Sequence, residues 1–248
     1  MSRSILLTSL PRSGSSWVGW VLGMADGVTY EREPITQGLL AAGLDPFSHE
    51  SVASPTFNDL VQQIAAKDGR LVVKEVTPLL AASIGAALDA RVVLLERHPV
   101  AVCRSHVQLG WVWGPQMVVS SRFPESPARD VLARIEAANP SFWVWHGAYQ
   151  AAVAVTARTM LGDGLLTVTY ESLVKRPKRA LGQLGTSLEL EWAAGVPKPE
   201  GQVSSSPFSL VRPNRSAPRS WSHGVDAARI AECRSGWEMI DGAPAWEW

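Results

Sequence analysis

LLTSLPRSGSSWVGW, residues 6–20, is the stretch on which the reading of this chain turns. It starts as an apolar run of strand length, and Pro11 ends it by removing a ladder N–H and fixing φ. Arg12, Gly14 and three serines follow, and a helical pattern begins at about residue 16. A strand, a tight loop and a helix N-terminus aim several backbone N–H groups at one point, where the helix dipole also favours negative charge. Gly14 permits a positive φ or a close approach of the backbone. Ser13, Ser15 and Ser16 add hydroxyl donors, and Arg12 adds a cation with a planar fork. The GxxxxGK[ST] pattern of nucleoside-triphosphate loops is missing. On this segment alone, the reading lies between an anion cradle and an ordinary surface turn.

Outward from the loop, short runs rich in Val, Ile and Leu predict buried strands at residues 4–9, 71–74, 91–96 and 165–170. Helical patterns fill the intervals at 16–24, from Pro55 after a Ser54 cap, at 79–88 and at 99–109. Strands alternating with helices predict an α/β fold, a three-layer parallel sheet flanked by helices on both faces. At 248 residues, with no internal repeat, the chain is expected to form a single domain over 1–248. Two long loops are expected near 110–127 and 195–218. In such sheets ligands bind at the carboxyl ends of the strands.

RHPVAVCRSH, residues 97–106, is a second strand-to-helix turn. Arg97 stands at the strand end, and Ser105 falls nearly two turns into a helix that starts at Pro99. Together the two segments resemble the sulfotransferases that use PAPS, 3′-phosphoadenosine 5′-phosphosulfate. PRSGSSW is similar to that family's 5′-phosphosulfate loop, P-[KR]-[SA]-G-[ST]-[ST]-W. RHPVAVCRS is similar to its 3′-phosphate motif, with the same Arg-to-Ser spacing. VTYESLVKRPKRAL and RSWSHGVDAARI resemble later family segments, so the matches run in family order from residue 5 to about residue 230. The resemblance implies that Arg12, Ser13, Gly14, Ser15, Ser16 and Trp17 hold the 5′-phosphosulfate. It implies that Arg97 and Ser105 hold the 3′-phosphate, that Tyr170 lies near the adenine, and that Arg219 is a phosphate contact in the C-terminal segment. His98 stands where many members have Asp.

The activity so implied is transfer of a sulfuryl group from PAPS to an acceptor hydroxyl, leaving PAP, with no metal required. Positioning and electrostatics carry most of such a reaction. Arg12 is the candidate for stabilising charge on the leaving phosphate, as a fixed cation and not an acid. KEVTP, residues 74–78, occupies the place where small-phenol and steroid members carry a catalytic His, and it has none. The EP pair of VTYEREPIT resembles the Phe-Glu-Pro turn of carbohydrate sulfotransferases. Glu33 is therefore the first candidate base, Glu31 the second and Glu75 the third, and burial would raise the pKa of any of them toward the working range. The bland reading of Glu31-Arg32-Glu33 is a solvated charge cluster. Histidines 49, 98, 106, 146 and 223 are fallback bases, with His106 either structural or near the acceptor cleft.

Composition narrows the partners. Basic and acidic residues balance at 23 each, so neither nucleic acid nor a membrane surface is expected to bind. No apolar run reaches the roughly 20 residues that span a bilayer. Cys103 and Cys233 are far apart with no CxxC spacing, which fits a reducing compartment and a cytoplasmic protein. The loop GWVWGPQMVVSSRFPESP, with Phe142, Trp143 and Trp145, offers apolar and stacking surface for an acceptor. A hydroxylated small molecule, aromatic or glycosylated, is favoured because a neutral chain has no groove for a polyanion. Two alternatives remain: a P-loop-type nucleotide kinase using Glu96 to hold metal, and a catalytically silent nucleotide-binding protein. Oligomeric state leaves no signal in the sequence.

Overall fold

The computed structural model describes residues 3–112, 118–197 and 221–248. Its centre is an all-parallel sheet of five strands: β1 (Ile5–Thr8), β2 (Val28–Arg32), β3 (Arg70–Glu75), β4 (Arg91–Glu96) and β5 (Leu166–Thr169). Their order is β2-β3-β1-β4-β5, with Ile5 opposite both Val72 and Arg91. The three central strands read as continuous apolar runs because both faces of the sheet are covered. Neighbouring residues serve opposite layers: Ile5 and Leu7 join one buried cluster with Val72, Val93 and Leu95, while Leu6 joins another with Leu71 and Val73.

The first layer is closed by α1 (Ser15–Gly23), α8 (Tyr170–Lys175) and α9 (Pro177–Leu188). The second is closed by α2 (Pro34–Ala41), α3 (Pro55–Ala65) and α4 (Ala81–Ala87). Ser54 caps α3 as expected, its Oγ accepting from the Phe57 N–H at 3.1 Å. The helices α5 (Pro99–Gln108), α6 (Pro127–Ala137), α7 (Phe142–Leu161) and α10 (Ala227–Glu238) build a further apolar cluster, centred on α7. Gly147 of α7 faces the Cys233 carbonyl and Gly236 of α10 faces the Val144 carbonyl, so the two backbones touch. Among the described residues no helix is long and apolar enough to cross a membrane.

Two expectations need correcting. Four strands were expected and five are present, VTYER forming β2; it lies at the sheet edge, half-exposed, where alternating polar residues hide the strand signal. Phe142, Trp143 and Trp145 belong to α7 and are not a cleft surface. Trp145 is completely buried and stacks on Tyr149 at 5.7 Å, and Trp143 is 8% exposed. The loop expected at 110–127 contains a short 3-10 turn at Val119–Arg122, and residues 113–117 lie outside the described residues. Most of the loop expected at 195–218 lies outside them too.

Candidate active site

The loop after β1 turns through two left-handed residues, Arg12 at φ 72° and Gly14 at φ 90°. Gly14 is the N-cap of α1; no side chain caps that helix, and no acidic residue stands in its first turn. The positive end of α1 therefore faces the loop, with Ser13 and Ser15 almost fully buried beside it. Tyr170, at the C-terminal end of β5, lies across Gly14. A β-carbon on that glycine would stand 2.5 Å from Tyr170 Cδ2. Trp17 meets the same ring edge-on at 6.1 Å.

The second turn closes onto the first. Arg12 Nε donates to Ser105 Oγ at 2.9 Å, and Arg97 Nη1 donates to the Arg12 carbonyl at 2.8 Å. The Arg97 guanidinium sits 4.7 Å from the Tyr170 ring centroid, a cation–π distance. Six residues thus converge: Arg12 and Gly14 of the loop after β1, Trp17 of α1, Arg97 just after β4, Ser105 of α5 and Tyr170 at the start of α8. Burial and then Arg97 lower the proton affinity of Arg12, and the same two causes act on Arg104. Guanidiniums crowded in this way favour an anion between them. Two buried donors of the cluster, Arg97 Nε and Trp17 Nε1, meet no acceptor among the described residues.

Glu171 supports this side of the site by accepting the His98 N–H at 3.1 Å, at the N-terminus of α5. His98 is itself structural. It stacks on Trp221 at 3.9 Å, its Nε2 lies 3.1 Å from the Glu247 carbonyl, and burial lowers its pKa to about 4. Arg104 Nη1 donates to the His223 carbonyl at 2.6 Å, so the described end of the RSWSHG segment crosses α5 beside Arg97. Arg219 lies outside the described residues.

The candidate bases are divided among three environments. Glu33 is the N-cap of α2 at φ 55°, on the same rim as Arg12 but beyond β3, about 10 Å away laterally at two strand spacings. Its Oε1 pairs with Nζ of Lys74, a lysine only 1% exposed. Glu31 makes a surface pair with Lys67 at 2.5 Å. Glu75 is fully buried and caps α2, accepting from Ile35 N at 2.7 Å, Thr36 N at 3.2 Å and Thr36 Oγ1 at 2.5 Å. Burial raises its pKa to about 7 even though those bonds favour the ionised form. Glu96, the metal-holding carboxylate of the kinase alternative, is bound by Arg158 through Nε at 3.3 Å and Nη2 at 2.7 Å. Among the described residues no group of three or more His, Cys, Asp or Glu is placed to hold a metal ion.

Lys74 and Glu171 were the partners missed in the sequence. A lysine inside an apolar strand is a legible signal, because a buried ammonium needs a carboxylate. Glu171 gives no such sign, since only the tertiary arrangement brings it to α5.

No protein-family model matches the sequence, and no curated protein matches it significantly. Solved structures do. The sulfotransferase domain from the Synechococcus PCC 7002 olefin synthase superposes with a TM-score of 0.53 at 16% identity, covering 94% of each chain. The fold is that of the sulfotransferases. A sulfotransferase from Alicyclobacillus acidocaldarius agrees, with a TM-score of 0.50 at 14% identity over 96% of each chain. In the sulfotransferase fold described here, the convergent residues sit at the carboxyl rim of the sheet, where α/β folds take their ligands.

Proposed function

We propose that this protein is a sulfotransferase that moves a sulfuryl group from PAPS to a hydroxyl of a small-molecule acceptor. The observation that carries the reading is the closure of the 97–105 turn onto the 12–17 loop. Two guanidiniums, a helix N-terminus and an aromatic ring meet on one rim of the sheet, in the order the resemblance requires. In this reading the 5′-phosphosulfate lies on Arg12 to Trp17, the 3′-phosphate on Arg97 and Ser105, and the adenine against Tyr170; Arg219 is a further phosphate contact.

As the acceptor oxygen bonds to sulfur, the bond from sulfur to the bridging phosphate oxygen breaks and charge grows on that oxygen. Arg12 opposes that charge. The acceptor proton passes to Glu33, which Lys74 holds on the rim of the sheet. PAP and the sulfated acceptor then leave. No metal takes part in the proposed reaction, and the acceptor is a neutral hydroxylated compound, aromatic or glycosylated.

Calorimetric titration with PAP tests the reading. Tight binding to the wild type that is lost in Arg97→Ala supports it. No binding to the wild type overturns it, and PAPS-dependent turnover in the presence of a chelator separates it from a kinase.

A further inference from the structure

The basic stretch KRPKR, which follows the Tyr170 turn, serves neither the fold nor the transfer chemistry. Lys175 closes α8, Arg176 is the N-cap of α9, and Lys178 and Arg179 stand in the first turn of α9. All four are exposed, and among the described residues none of their side chains has a hydrogen-bonding, acidic or aromatic partner. No acidic residue stands in the first turn of α9. The apolar side of that helix is turned inward, where Leu181, Leu184 and Leu188 fill the first layer.

The arginines at the other end of α9 are all engaged. Arg70 and Arg91 open β3 and β4 and bond the last carbonyls of the helix: Arg70 reaches those of Leu188 and Glu189, and Arg91 that of Ser187. Arg91 also pairs with Glu189 at 3.1 Å, and Arg3 pairs with Asp89 at 3.4 Å. The end of α9 is thereby fixed at the amino rim of the sheet. A helix of 12 residues is about 18 Å long and a strand of 6, such as β4, about 20 Å, so α9 starts level with the carboxyl rim. That is the rim of the anion site. Lys175 follows Tyr170 on the same helix, about 8 Å along its axis. Carboxylates on this part of the rim are already bound: Glu171 accepts the His98 N–H, and Arg158 holds Glu96.

We propose that Lys175, Arg176, Lys178 and Arg179 are an electrostatic guide, a field at the mouth of the anion site that draws in a nucleotide carrying two phosphate groups. The nature of that ligand rests on the function proposed above. The guide acts at a range set by salt. The Debye length is about 8 Å at 0.15 M ionic strength and about 30 Å at 0.01 M, so charges one helix length from Tyr170 are felt in dilute salt and screened in concentrated salt. The chain as a whole is neutral, which makes the attraction local to this rim. Fields of this kind raise association rates by about 10–10³. Side chains that only guide change association, whereas those that hold the bound nucleotide change dissociation.

Stopped-flow mixing of the full chain with PAP, followed by tryptophan fluorescence, tests the guide at about 0.02 M and about 0.5 M ionic strength. The double variant Lys178→Glu, Arg179→Glu is expected to fold, since acidic residues suit the first turn of a helix. It is expected to associate roughly tenfold more slowly than wild type in dilute salt and within about twofold of it in concentrated salt. Its dissociation rate is expected to stay within about twofold of wild type throughout. Arg3→Glu, on the amino rim, is expected to leave both rates unchanged. A wild-type association rate in dilute salt overturns the guide. A loss confined to dissociation also overturns it, because the side chains then hold the bound nucleotide. Equal slowing in Arg3→Glu overturns it as well, since net charge and not the rim would be responsible. If the wild type does not bind PAP, the proposed function fails, and the guide is read in the free protein. Amide relaxation by an anionic and by a cationic nitroxide then reports the local potential. A stronger effect of the anionic one at Ser16 and residues 170–176, weakened in the double variant, supports the guide; equal effects of the two overturn it.

Discussion

Tyr170 and Gly14 occupy one another's space: the ring lies where a β-carbon on the glycine would have to go. Gly14 therefore meets two separate demands, a φ of 90° and the approach of an aromatic face. Gly14→Ala is expected to cost about 2 kcal/mol or more of stability in urea unfolding and to weaken PAP binding sharply. Adding Tyr170→Ala relieves the collision and leaves about 1 kcal/mol of backbone strain, so the two changes are non-additive. Additive costs would show that the contact carries no energy.

Arg12→Lys keeps the charge but loses the fork that reaches Ser105 Oγ. Turnover with PAPS is expected to fall by roughly 10²–10³, while PAP affinity changes by less than about tenfold. Equal losses in turnover and PAP affinity would mean that Arg12 binds the nucleotide and does not favour the transition state.

Glu33→Gln tests the base and the buried ion pair together. Turnover is expected to drop by roughly 10²–10⁴. Leaving Lys74 without its carboxylate is expected to cost about 2–3 kcal/mol, below the range for fully buried pairs because Glu33 is partly exposed. Burial already lowers the Lys74 pKa, and losing Glu33 lowers it further. The unfolded chain then binds the proton more readily, so the stability of the variant should rise relative to that of the wild type as pH climbs toward 10.5, the ordinary lysine value. A difference that is flat over that window would show that Lys74 has found another anion.

Glu75 has the opposite sign. Its folded pKa of about 7 lies above the ordinary 4.5, so the folded state holds the proton more tightly. The contribution of Glu75 to stability is expected to fall as pH rises through that window, by up to about 3 kcal/mol. Glu75→Gln removes the titration and keeps an acceptor for the start of α2. The buried histidines 98, 106 and 146, whose lowered pKa values add stability as pH rises, act on both proteins alike. Between pH 5 and pH 8 the wild type should therefore lose stability relative to the variant, and a difference that does not change with pH would show that Glu75 is ionised in the folded protein throughout.

The parts of the fold that were legible in the sequence are those governed by local rules. Apolar strand runs, the Ser54 cap, Pro99 at the start of α5 and the Gly14 turn all carry their cause in neighbouring residues. The convergence of Arg97 and Ser105 on the 12–17 loop was legible through the resemblance, because parallel strands place successive turns on one rim. What stayed hidden depends on distant partners. β2 is a short, partly exposed edge strand whose only apolar residues, Val28 and Tyr30, alternate with polar ones. Trp145 looks like any exposed aromatic until Tyr149 and the body of α7 enclose it. Glu31 and Glu33 are nearly identical by sequence and equally exposed, yet one pairs with the exposed Lys67 and the other with the buried Lys74.

The strand order has a consequence for synthesis. β1 is the middle of the sheet, and the strands it pairs with, β3 and β4, begin at Arg70 and Arg91. During translation, at about 5–20 residues per second, Ile5 to Thr8 therefore emerge several seconds before any partner exists. Until then an unpaired, apolar strand is open to wrong contacts, and the centre of the sheet cannot close until β4 has been made.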